Sequence, residues 1–122
     1  MPIILRGWFY NLKLEALKSD FPNFKIGSAV LHGRKVIAKG YNKRKTNPSL
    51  VKFGFYGGVI HAEAASILKA ANGDTLVVIR ILKNGNLSCS KPCIHCLAYA
   101  KNFGIKTIVY SDWNSNLREL KI

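Results

Sequence analysis

The sequence predicts an α/β fold, a three-layer α/β/α sandwich built on a mixed sheet of about five strands with helices on both faces. Three observations predict it. Two apolar, β-branched runs, Thr75 to Leu82 and Thr107 to Tyr110, are separated by a segment of helical composition, so they read as buried parallel strands joined by a crossover. A pair of shorter runs around His32-Gly33-Arg34 reads as an antiparallel hairpin. Apolar residues elsewhere recur at helical spacing. The 122 residues, 48% of them hydrophobic, fit one domain over 1–122 with a core of its own.

Taken in order, Leu5, Trp8, Phe9, Leu12 and Ala16 lie at helical spacing and predict a first amphipathic helix ending near Asp20-Phe21-Pro22. Lys25 to Leu31 and Lys35 to Lys39 are the hairpin strands. Residues 40–58, rich in Gly, Asn, Lys and aromatics with Pro48 as a breaker, read as loop. Strong helix formers from His61 to Ala71, closed by Asn72-Gly73, predict a second helix. The run from Thr75 to Leu82 is the first buried strand, and Lys83-Asn84-Gly85-Asn86 turns the chain. A third helix is expected from about Cys93 to Phe103, capped by Gly104, then the strand Thr107 to Tyr110. Asp112 to Asn116 reads as a turn, and Leu117 to Ile122 as either a returning strand or a helical turn. Trp8, Phe9 and Trp113 are assigned to core or interface.

Composition narrows the function classes. No apolar run approaches the ~20 residues of a membrane span. The short apolar N-terminus lacks the flanks of a secretory signal. Three cysteines, two of them three apart, fit a reducing, cytoplasmic setting in which close cysteines serve metal or redox chemistry. The net charge is +13, from 19 Lys and Arg against six Asp and Glu. Between Asp20 and Glu63 there is no acidic residue, while Lys25, Arg34, Lys35, Lys39 and Lys52, with the cluster Lys43-Arg44-Lys45, lie there. Such a field attracts single-stranded nucleic acid or phosphorylated small molecules, and Lys43, Arg44, Lys45 and Lys52 are the candidate nucleic-acid contacts. The competing reading is a solvated basic surface.

Chemistry concentrates in two places: His61-Ala62-Glu63 at the start of the second helix and Pro92-Cys93-Ile94-His95-Cys96 at the start of the third. Zinc takes thiolate and imidazole ligands, and a catalytic zinc uses three of them and keeps its fourth position for water. His61, Cys93 and Cys96 therefore read as ligands of one zinc ion per chain. The helix N-terminus favours their thiolates. Glu63, two residues beyond the histidine, sits beside the metal rather than on it, placed to move protons. A Cys-x-x-Cys before a helix also suits a thioredoxin-like redox site, which leaves His61 and Glu63 unexplained. His95 reads as exposed or as supporting the ligands, and Cys89 as a thiol outside the ligand set. Phe53, Phe55 and Tyr56 either stack on a base or pack their loop onto the core.

His-x-Glu followed by Pro-Cys-x-x-Cys, each opening a helix in this order, is the pattern of zinc deaminases. From Lys25 to Tyr110 the chain resembles the cytidine deaminase-like superfamily, which includes deoxycytidylate, tRNA adenosine and polynucleotide deaminases. The resemblance implies the fold of that superfamily and hydrolytic conversion of cytosine to uracil by attack at C4 with loss of ammonia. It also implies that Asn42 contacts the substrate sugar, that the Ala62 backbone binds the base, and that the Lys91 carbonyl accepts from the departing amino group. Phe55 and Tyr56 join them as candidate substrate contacts.

Departures exist. Lys91 stands where relatives often have Ser, Glu or Thr. The short C-terminus lacks room for the extra helix and strand of deoxycytidylate and tRNA deaminases. An antiparallel terminal strand points to the cytidine deaminase branch, which usually has Cys in place of His61. Three functions follow: deamination of cytosine in single-stranded DNA or RNA, favoured by the basic segment; deamination of free cytidine, deoxycytidine or their monophosphates; and a non-catalytic zinc or nucleic-acid-binding module, which has no use for Glu63. Adenine is a further possible target of the same chemistry. Oligomeric state stays open, a homo-oligomer included.

Overall fold

A computed structural model describes residues 11–21, 25–33, 35–43, 61–114 and 116–122. Residues 11–17 are helical and form α1. Then follow β1 (Lys25–His32), β2 (Lys35–Tyr41), α2 (Ala62–Lys69), β3 (Thr75–Ile81), β4 (Leu87–Ser88), α3 (Ile94–Phe103), β5 (Thr107–Ser111) and β6 (Leu117–Lys121). The strands form one sheet in the order β2-β1-β3-β5-β6, with the two-residue β4 paired to the end of β3. The β1–β2, β1–β3 and β5–β6 pairs are antiparallel, and β3–β5 is parallel. The expected hairpin, crossover and parallel pair are all present.

Alternation along the strands divides the core into two layers. Ala29, Leu31, Val77, Ile79, Ile81 and Val109 face α1 and pack on Leu12 and Ala16. Val30, Leu76, Val78 and Ile108 face the other way, onto Ile67 of α2 and Ala100 of α3. Burial of each large aliphatic side chain is worth about 1.5–3 kcal/mol, so both faces contribute. Two glycines let the helices come close. A Cβ on Gly27 would lie 2.7 Å from the Leu12 carbonyl oxygen, and one on Gly40 would lie 2.5 Å from the Ser66 nitrogen.

Three elements differ from expectation. Helix α2 stops at Lys69, with Ala70 already extended at ψ 138°, rather than running to Ala71 with Asn72-Gly73 as its cap. The chain must drop back into the sheet: the Asp74 amide donates to the Leu31 carbonyl at 2.9 Å, and Gly73 packs against Val30. Strand β4 was not expected, because two residues show no periodicity. Residues Leu117–Lys121 form an antiparallel strand, resolving the two readings of that segment. Leu117 packs against one core layer and Leu120 against the other, while Arg118, Glu119 and Lys121 of this edge strand are exposed. Trp113, assigned to core or interface, is 74% exposed and so is not core. It sits in the turn beyond β5, where Asp112 accepts from the Asn114 and Asn116 amides and from Arg118 Nε. Helix α3 ends as expected on Gly104, at φ 114°. Trp8, Phe9, Arg44, Lys45, Lys52, Phe53, Phe55 and Tyr56 lie outside the described residues.

Candidate metal centre and active site

Parallel strands β3 and β5 pair from Thr75–Thr107 to Val78–Tyr110 and no further. Beyond that point residues 88–90 take up the free edges. Strand β4 pairs Ser88 with Arg80, and the Ser90 amide donates to the Ser111 carbonyl at 2.8 Å. Hydroxyls complete the joint: Ser90 Oγ donates to the Val78 carbonyl at 2.7 Å, and Ser111 Oγ to the Ser88 carbonyl at 2.6 Å. The segment leads directly into Cys93, the N-cap of α3. The N-termini of α2 and α3 thus meet at one edge of the sheet, as ligand-binding crevices in open α/β sheets do.

His61 is the N-cap of α2, at φ −69° and ψ 148°, but its side chain makes no capping hydrogen bond. It turns instead to α3. Its Nδ1 lies 3.3 Å from Cys96 Sγ and 3.6 Å from Cys93 Sγ, and the three ligand atoms fall within 4.8 Å of one another. A tetrahedral zinc with Zn–S of about 2.3 Å and Zn–N of about 2.05 Å places nitrogen and sulfur about 3.5 Å apart. The cluster matches that spacing and donor set.

The electrostatics agree. Hydrogen bonding from the Cys96 thiol, then from His61, pulls Cys93 down to about 3. Cys96, buried against that thiolate, is pushed up, first by its hydrogen bond to Cys93 and then by burial. The Cys93 contact raises His61 in turn. One negative sulfur disfavours a second beside it, a repulsion that a cation between the two would relieve.

Glu63 is 5% exposed and lies in the first turn of α2. Burial raises its carboxyl above the usual carboxylate range, while backbone hydrogen bonding and the His61 charge offset part of that rise. A cavity of about 400 Å³ opens beside it, and His61, Ala62, Glu63 and Cys93 are among its lining. Phe21, Ile26, Asn42, Arg80, Cys89, Ser90 and Lys91 complete the lining. Asn42 is clamped to β1: its Oδ1 accepts from the Ile26 amide at 3.0 Å, and its own amide donates to the Ile26 carbonyl at 3.2 Å.

Seven of the residues singled out in the sequence therefore converge here: His61, Cys93, Cys96, Glu63, Ala62, Asn42 and Lys91. Lys43 does not line the cavity and lies over the Tyr41 ring at 4.9 Å. His95 is exposed, and Cys89 is a half-exposed thiol outside the ligand cluster but within the cavity wall. Arg80, Ser90, Phe21 and Ile26 went unrecognised as lining residues. Arg80 carried a signal, being the lone cation in an apolar strand; the other three carried none.

The model of the cytidine and deoxycytidylate deaminase zinc-binding region matches residues 7–112. A comparison of the sequence with curated proteins finds no significant match. Among solved structures, dCMP deaminase from the cyanophage S-TIM5 superposes with TM-score 0.64 at 21% identity, covering 93% of this chain and 86% of that one. The same enzyme has been solved in complex with dCMP and dUMP. Cytidine deaminase from Burkholderia pseudomallei superposes with TM-score 0.67 at 20% identity, over 95% and 91% of the two chains. That from Mycobacterium tuberculosis gives 0.58 at 20%, over 86% and 84%. At such identities the structures establish the shared fold. The family model covers most of the chain and takes in the histidine, the glutamate and both cysteines of the cluster, and on that match the chain belongs to the cytidine and deoxycytidylate deaminase family of zinc-dependent hydrolases.

Proposed function

We propose that the chain hydrolyses the exocyclic amine of cytosine in a free mononucleotide, releasing ammonia and leaving uracil. The walled cavity carries this reading. Its volume of about 400 Å³ lies in the range of small-molecule sites, roughly 300–1,000 Å³. Among its described lining, Arg80 and Lys91 are the basic side chains and Glu63 the only acid, a balance suited to a phosphate-bearing ligand. The dCMP and dUMP complex of the cyanophage enzyme supports the same substrate class.

His61, Cys93 and Cys96 would hold one zinc ion, which when bound supplies the Lewis acidity that makes water nucleophilic at neutral pH. Glu63 would carry two protons in turn: one from the attacking water to the ring nitrogen beside C4, and then the proton of the hydroxyl so added to the departing amine, which leaves as ammonia. Burial lifts its carboxyl above the usual carboxylate range, the direction that favours taking up a proton. Asn42, clamped by β1, holds the sugar. The Ala62 amide and the Lys91 carbonyl orient the base, so the C4 edge is presented to the metal end of the cavity.

A second reading has one observation in its favour. The absence of acid between Asp20 and Glu63, with eight basic residues there, suits a single-stranded DNA or RNA substrate.

The test is a deamination assay on zinc-loaded protein, offering cytidine, dCMP and a cytosine-containing single-stranded oligonucleotide. dCMP is expected to turn over, and Glu63→Ala to lower kcat by about 10²–10⁴-fold. Turnover of the oligonucleotide alone, weakening steeply with salt, transfers the function to the second reading. Equal rates for Glu63→Ala and wild type overturn the mechanism.

A further inference from the structure

Two buried serines grip the turn of α2 that carries Glu63. Ser28 on β1 and Ser66 on α2 are both 0% exposed, and β1 presents Ser28 to α2 between Ile26 and Val30. Ser28 Oγ donates to the Ala62 carbonyl at 2.5 Å. Ser66 Oγ donates to the Glu63 carbonyl at 3.0 Å, and the two hydroxyl oxygens lie 2.7 Å apart. Each hydroxyl has one proton and two lone pairs. With Ser28's proton on Ala62, that of Ser66 is divided between the Glu63 carbonyl and Ser28 Oγ.

The geometry matters because of which carbonyls are held. Those of Ala62 and Glu63 belong to the two peptide groups on either side of the Glu63 Cα. Peptide groups are planar, so fixing both planes fixes φ and ψ at Glu63 and with them the direction of its Cα–Cβ bond. One anchor comes from the helix itself and the other from the sheet, which ties the carboxylate to β1 rather than to its own helix alone. Stability does not require such a pair. Replacing two bonded hydroxyls together by apolar groups of similar shape is close to neutral, because no buried polar side-chain atom is left behind.

We infer that Ser28 and Ser66 are positioning residues that aim the Glu63 carboxylate into the cavity. This rests on the proposed role of Glu63 as proton carrier. A carboxylate misplaced by about 1 Å loses up to about 10²-fold in rate. The double variant Ser28→Ala/Ser66→Ala is therefore expected to lose kcat about ten-fold or more. KM should stay within about two-fold, and zinc content should stay at one per chain. Its crystal structure should show the Glu63 carboxylate displaced with the ligand cluster unmoved.

Val77→Ala, a truncation in the opposite core layer, is the comparison: it is expected to lower the melting temperature without changing kcat. An unchanged kcat in the double variant overturns the inference. So does a loss matched by zinc loss, or one that merely follows stability as in Val77→Ala. Should the double variant not fold, Ser66→Ala alone is read by the same measures. Wild-type protein inactive on all three substrates overturns the proposed function instead, while the position of Glu63 in the variant crystal still decides the role of the serines.

Discussion

At the scale of single residues, the metal cluster and the cavity lining obey different logics. His61, Cys93 and Cys96 are identifiable because each sits at a helix N-terminus at a spacing few other purposes require. Arg80 is the opposite case. It interrupts the apolar strand β3 on the face shared with Leu76 and Val78, which places its side chain in the cavity wall. If it meets a substrate phosphate, a charge-assisted hydrogen bond worth about 1.5–3 kcal/mol is at stake. Arg80→Gln is then expected to raise KM for dCMP about ten-fold or more and to leave KM for cytidine unchanged. Steady-state kinetics on the two substrates checks it, and equal effects on both remove Arg80 from phosphate recognition.

At the scale of elements, two helices lean on two glycines with different consequences. Helix α1 crosses Gly27 and α2 crosses Gly40, each so close that an added Cβ meets backbone atoms under 3.0 Å away. Overpacking of this kind costs about 1–3 kcal/mol. Gly27→Ala and Gly40→Ala are expected to lose comparable stability in denaturant titrations. Only Gly40→Ala should also lower zinc affinity and turnover, because only α2 carries His61 and Glu63. Parallel losses of function in both variants would show that the site depends on global stability rather than on the seating of α2. The antiparallel β6 also belongs to this scale. Its pairing with β5 has the topology implied for the cytidine deaminase branch, while His61 departs from the Cys usual there, so the strand pairing and the ligand set point to different relatives.

At the scale of the whole molecule, the metal would reinforce a joint that Ala64 and Ala65 of α2 already make with Cys96 and Tyr99 of α3. The ligands come from α2 and α3, which are far apart in sequence, so holding one ion at their N-termini ties the two halves of the fold together. A ligand bound only by the native state stabilises it by RT ln(1 + [L]/Kd), about 4 kcal/mol at a thousand-fold excess over Kd. Chelation is expected to lower the melting temperature by on the order of 10 °C, with recovery on adding zinc. Identical melting of chelated and zinc-loaded protein would argue against a resident metal at this cluster. The charge of +13 acts at the same scale, setting long-range attraction to anionic ligands rather than the fold.

The sequence by itself determined the layers, the hairpin, the parallel pair and the metal-and-glutamate constellation. Periodicity and helix-end chemistry are local, and so are the spacings His61 to Glu63 and Cys93 to Cys96. It also placed the ends of α3 correctly, because a Cys N-cap and the left-handed Gly104 mark them within a few residues. Tertiary structure alone decided the rest. It ended α2 at Lys69, since Gly73 and Asp74 must reach β1 before β3 can start. It made a strand of Leu117–Lys121, whose leucines find partners only once both core layers exist. And it brought Arg80, Ser90 and the Ser28–Ser66 pair to the site from strands and turns with no shared motif. Hydrogen bonds between residues some tens of positions apart leave no periodic trace in a chain; they arise only where the folded backbone carries the partners into reach.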